Sequence, residues 1–179
     1  MDLTEKRLES CYVYRGKVLN MRVDTVELPG GRRGTREVVE YAGAVAVVAL
    51  DRDGRVLLVR QYRYPVGREL IEIPAGKLEP GEDPAAAARR ELAEETGSTA
   101  GRLERLLRFF STPGFTSEEM HLYLATDLEP GPAAPDEDEF VELVRVPLDT
   151  ARRMVERGEI CDAKSIVGIL TVCDRLQDR

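Results

Sequence analysis

The chain has 179 residues, 42% of them hydrophobic, which suffices for one domain with a sizeable core and a small appendage. A formal net charge of −7 argues against a broad nucleic-acid surface, which needs a basic stripe. Cys11, Cys161 and Cys173 are odd in number and form no Cys-x-x-Cys pair, so neither a zinc site nor a disulfide framework is indicated.

In chain order, the charged start Met1 to Arg7 has no signal-peptide pattern, and no apolar run approaches the ~18 residues of a membrane span, so a cytoplasmic location is expected. Cys11 to Leu19, Met21 to Leu28 and Arg36 to Tyr41 are rich in Val, Tyr and alternating polar residues, with Pro29-Gly30-Gly31 as a turn, and predict a small antiparallel sheet. Such a sheet buries little surface alone, so it should pack on the main domain or on a second subunit. The expected division is a β subdomain over residues 1–42 and a catalytic domain over 43–179. Ala44 to Leu50 is continuously apolar, Asp51 to Gly54 is a turn, and Arg55 to Tyr64 is the return strand. Leu70 to Pro74 leads straight into the most informative segment. Beyond that segment, Leu103 to Phe110 and Met120 to Thr126 read as strands flanking a loop, and a Pro-rich, acidic loop precedes a strand from Phe140 to Val146. Two helices, Leu148 to Arg157 and Ala163 to Leu176, close the chain.

Between Gly76 and Gly97 the sequence is Gly-x5-Glu-x7-Arg-Glu-Leu-x-Glu-Glu-x-Gly. Pro80, Gly81, Glu82 and Asp83 mark a turn, Pro84 suits a first helical position, and an Ala-rich helix runs to about Thr96 before Gly97 stops it. At ~100° per residue, Glu91, Glu94 and Glu95 share one arc beside the apolar stripe of Ala85, Ala88 and Leu92. Crowded carboxylates repel, and a hard divalent cation relieves the repulsion. A charge-rich helix face is ordinarily just solvated, but here Gly76 and Gly81 allow a tight loop with inward carbonyls and Glu82 adds a carboxylate. Oxygen-only ligation suits Mg2+ or Mn2+ rather than zinc. Arg90, beside the ligands in sequence but pointing elsewhere, reads as a charge clamp on the glutamates.

This segment resembles the Nudix box, the signature of a superfamily that hydrolyses nucleoside diphosphates linked to another group. Ser98 departs from it, since the box normally ends in an aliphatic residue. The resemblance implies an α/β Nudix fold, an α/β/α sandwich around a mixed sheet. It further implies that Glu91 and Glu95 are metal ligands, that Glu94 is a ligand or supports one, and that Glu82 supports the site; the Ala75 carbonyl is a further candidate ligand.

Three other segments bear on substrate. Ser111 to Glu118 is a Pro-Gly loop in which Thr116 or Ser117 could cap a helical turn; it also resembles a stretch of the ADP-ribose pyrophosphatases of the Nudix family, which places Thr112 and Glu118 near the ribose diphosphate. In Arg60-Gln61-Tyr62-Arg63-Tyr64-Pro65, alternation puts Gln61 and Arg63 on one face, and a guanidinium fork matches phosphate oxygens. Surface salt bridging is the plain alternative, but the run is similar to one whose arginine contacts the diphosphate, so Arg63 is the expected contact. The acidic stretch Asp136 to Glu139 would ordinarily be solvated. The resemblance makes Glu137 the water-activating base and Glu139 a metal helper, and a one-residue slip in alignment reverses that choice.

His121, at the start of an apolar strand, reads as a hydrogen-bonded structural residue. Tyr12, Tyr14 and Tyr41 could stack a base, yet strand packing explains them. In the resembling family the N-terminal strands contribute to the adenine pocket across a swapped dimer interface, making Arg36 and Glu37 substrate candidates and a homodimer the expected assembly. The expected reaction is metal-assisted hydrolysis of ADP-ribose to AMP and ribose 5-phosphate. The alternatives are another nucleoside diphosphate sugar (GDP- or UDP-linked) and a non-catalytic nucleotide-sugar-binding module.

Overall fold

The computed structural model describes residues 2–134 and 139–177, and the chain forms two compact units. The first unit comprises residues 1–43 together with 110–119. It contains β1 (Lys6–Arg15), β2 (Asn20–Glu27) and β3 (Arg33–Glu40), paired antiparallel in the order β1-β2-β3. The first strand begins earlier than expected and ends at Arg15, because the chain turns at Gly16, whose N–H bonds the Leu19 carbonyl at 3.0 Å. Residues 110–119, expected to belong with the catalytic part, group instead with this unit. Val39 donates its N–H to the Phe115 carbonyl (2.8 Å) and its carbonyl accepts from Ser117 (3.2 Å), forming a short parallel bridge at Thr116. Thr116 and Ser117 therefore cap no helical turn.

The second unit is built on β4 (Ala44–Leu50), β5 (Arg55–Arg63), β6 (Arg68–Glu72), β7 (Ala75–Lys77), β8 (Ser98–Phe110), β9 (Glu119–Pro130) and β10 (Val141–Pro147). The sheet runs β10-β5-β4-β9-β8, with β6 paired to β5 and β7 to β4. The pairing of β4 with β9 is parallel, whereas β4 with β5 and β5 with β10 are antiparallel, so the sheet is mixed. All of β4 is buried, as a strand covered on both faces must be, which is why its sequence is apolar without alternation.

Among the described residues, three α-helices cover that sheet: α1 (Pro84–Thr96), α2 (Leu148–Glu156) and α3 (Ala163–Gln177). Val45, Val47 and Ala49 pack with Ala87, Ala88 and Leu92 of α1 on one face. Ala44, Ala46, Val48 and Leu50 pack with Ala151, Met154, Ile169 and Val172 of α2 and α3 on the other. Successive β4 side chains thus feed opposite cores, and the α/β/α sandwich expected from the sequence is the observed architecture. The unexpected element is β7, which the apolar run before the box conceals; it pairs Gly76 with Val45 and lays the first box residue against α1.

Candidate active site

Local sequence sets the helix that carries the glutamates. The Asp83 side chain accepts the N–H groups of Ala85 and Ala86, both at 3.0 Å, Pro84 occupies the first turn, and Gly97 closes the helix in the left-handed region at φ 67°. Burying Ala87, Ala88 and Leu92 then turns Glu91 and Glu95 toward β7, where they are 8% and 4% exposed. Glu95 Oε2 accepts the Ala75 N–H at 3.0 Å. Glu94 remains more open.

Arg90 reaches these carboxylates directly, contrary to the expectation that it points elsewhere. Its Nη1 donates to Glu91 Oε1 (2.7 Å) and Glu94 Oε2 (3.0 Å), while Nε and Nη2 hold both oxygens of Glu82 at 3.0 Å. A helix neighbour can do this because a long side chain sweeps back over the preceding turn, where Glu82 and the Lys77 carbonyl lie. The clamp role expected of it matches this geometry.

Burial pushes the Glu95 carboxyl up to about 8, further raised by Glu91 and Glu139 and only partly offset by the Ala75 N–H and Arg63. Burial likewise raises Glu91 despite its contact with Arg90. Glu95 is therefore reluctant to ionise near neutral pH, the electrostatic condition a divalent cation corrects. Among the described residues, no three acidic, histidine or cysteine side chains already converge as a cation cage. The donor set nevertheless fits: it is all oxygen, and Gly76 leaves room beside Glu91 that a side chain would fill.

Glu139 is exposed, but its charge is felt at both Glu91 and Glu95, and it lines a cleft of about 440 Å³ with Tyr62 and Phe140. Glu137 lies outside the described residues. Arg63 is not an open phosphate fork, because its Nε and Nη2 donate to Glu72 Oε1 and Oε2, both at 2.8 Å. Glu72 was missed in the sequence, although a lone acid inside the apolar run Leu70 to Pro74 signals a buried charge that needs a partner.

In the first unit, Arg36 and Glu37 line a cavity of about 320 Å³ with residues 113–117. The Arg36 guanidinium is held by both oxygens of Glu5, one at 2.8 Å from Nε. Thr112 engages the loop through its backbone carbonyl, which accepts from Phe115 (3.3 Å) and Thr116 (3.2 Å). Glu118 accepts a hydrogen bond from the Ser111 hydroxyl.

Residues 40–166 match the NUDIX domain, and residues 5–39 match the nucleoside diphosphate sugar hydrolase N-terminal domain. The chain is 44% identical to an ADP-ribose pyrophosphatase of Bacillus subtilis (strain 168), covering 94% of this chain and 92% of that protein. It is 44% identical to the ADP-ribose pyrophosphatase of Mycobacterium tuberculosis (89% and 79% covered) and 42% identical to a methanol dehydrogenase activator of Bacillus methanolicus (92% and 90% covered). A solved ADP compounds hydrolase superposes with a TM-score of 0.88 over 99% of this chain and 97% of its own, at 27% identity. The chain, with its glutamate helix laid against β7 and its separate N-terminal sheet, therefore belongs to the Nudix hydrolases.

Proposed function

We propose that the chain hydrolyses the diphosphate of ADP-ribose to AMP and ribose 5-phosphate, using Mg2+ or Mn2+. The observation that carries this reading is the buried pair Glu91 and Glu95, whose carboxyls burial pushes up, on the face where the Ala75 N–H meets Glu95. The activities named for the Bacillus subtilis and Mycobacterium tuberculosis relatives support the substrate.

Glu91, Glu95, Glu94 and the Ala75 carbonyl would hold the cation, with Glu139 assisting. Bound there, a divalent cation neutralises phosphate charge and acidifies water. Arg90 keeps Glu91 and Glu94 in place, so these side chains lose little freedom on binding. Arg63 is the diphosphate contact through the terminal nitrogen that Glu72 leaves over, and Glu137 is the base that takes the proton from the attacking water. Arg36 and Glu37, in the cavity of the first unit, receive the adenosine end, and Thr112 and Glu118 the ribose diphosphate. Residues 1–42 serve as the dimerisation and adenine-binding part and 43–179, apart from the loop 110–119 that groups with the first unit, as the catalytic part. A cytoplasmic homodimer that exchanges or packs N-terminal strands fits the exposure of all of β1, including Tyr12, Val13 and Tyr14.

The test is hydrolysis of a panel of ADP-, GDP- and UDP-linked sugars in heavy-oxygen water. ADP-ribose should turn over best, with the label in only one product. Preferred release of GMP or UMP would assign the sister activity, and intact Mg2+-dependent turnover in Glu91→Gln and Glu95→Gln would sink the metal assignment.

A further inference from the structure

Glu72 ends β6 and is 1% exposed. A carboxylate removed that far from water is tolerated only with cationic partners. Besides Arg63, Lys164 Nζ also closes on Glu72 Oε2. Lys164 in turn holds Asp162 Oδ2 at 2.9 Å, and the same oxygen accepts the Ser165 N–H at 3.1 Å, capping the start of α3. Two cations and two anions thus form a chain from β5 through β6 to α3. Burial pushes the Glu72 carboxyl up, but Arg63 and Lys164 outweigh it and hold it below its ordinary value.

Stability is a weak reason for such a chain, since buried ion pairs can often be replaced by apolar residues without loss. Orientation is a better one, because a fork held at two nitrogens has a single plane. Glu72 takes the Nε and Nη2 edge of Arg63, which leaves Nη1 as the nitrogen that Glu72 does not engage. Arg63 is 38% exposed and its charge lowers the carboxyl of Glu95, so it lies within electrostatic reach of the metal-candidate face.

We propose that Glu72, itself held by Lys164, is a positioning residue for Arg63, locking one edge of the guanidinium so that Nη1 is presented to the substrate diphosphate. This rests on the reading of Arg63 as the diphosphate contact. The experiment is a double-mutant cycle on ADP-ribose hydrolysis with Glu72→Gln, Arg63→Ala and both together, each normalised to folded protein. Arg63→Ala should raise KM at least tenfold. Glu72→Gln should raise it at least fivefold with kcat within threefold, and should add less than twofold once Arg63 is gone. If Glu72→Gln leaves KM within twofold, or multiplies it equally in both backgrounds, the positioning role is overturned while the Arg63 reading stands. If Arg63→Ala itself leaves KM within twofold, the Arg63 reading fails, and this role with it. Should Glu72→Gln not fold, Arg63→Lys keeps the charge but not the fork: a KM at least fivefold higher supports the role, and one within twofold overturns it.

Discussion

A Cβ built on Gly76 would fall 1.9 Å from the carboxyl carbon of Glu91. The first box residue is thus glycine because its backbone lies where a metal-ligand candidate needs to be. Gly76→Ala should displace Glu91 and cut kcat/KM on ADP-ribose by at least ~100-fold, as small misplacements of reacting groups do. Retention of more than a tenth of the activity would show that Glu91 can move away freely.

Arg90 engages three carboxylates, two of them on its own helix. Arg90→Ala should destabilise the metal-free protein by about 2 kcal/mol, since it leaves partly buried acids unpaired. Urea unfolding in a chelator measures this, and saturating Mg2+ should return part of the loss.

Glu95 gives a pH dependence of definite sign. Its folded carboxyl lies at about 8 against 4.5 for the unconstrained group, so the folded state binds the proton more tightly. The resulting stability is fully present below about 4.5 and is lost as pH rises through about 8. In a chelator, Tm should therefore fall between pH 5 and 8.5, and Glu95→Gln should flatten that decline. An equally steep decline in the variant would place the titration elsewhere.

Ser165 is fully buried, and its hydroxyl accepts the Ile73 N–H at 2.8 Å. Ser165→Ala leaves that N–H without its acceptor and should cost about 1–3 kcal/mol. Denaturant midpoints compared at a common m-value would check it.

Short-range chemistry was legible directly. Asp83, Pro84 and Gly97 bound α1 within a few residues of its ends, and the unbroken apolar run Ala44–Leu50 announced a strand covered on both faces. The spacing of Glu91, Glu94 and Glu95 put them on one arc because helical geometry is periodic whatever surrounds it. With the Nudix resemblance, those signals were enough for the sandwich and the family.

Folding decided the rest, because the remaining partners are remote in the chain or depend on close approach. Glu72 and Lys164, 92 positions apart, meet only when the start of α3 comes to the end of β6, and no local pattern marks one for the other. The pairing of β7 with β4 brings Gly76 under Glu91, and Val39 draws the Pro-Gly loop into the N-terminal unit. Periodicity can say which face a carboxylate occupies. Only packing says what lies opposite it, and therefore whether it is solvated, paired or left needing a cation.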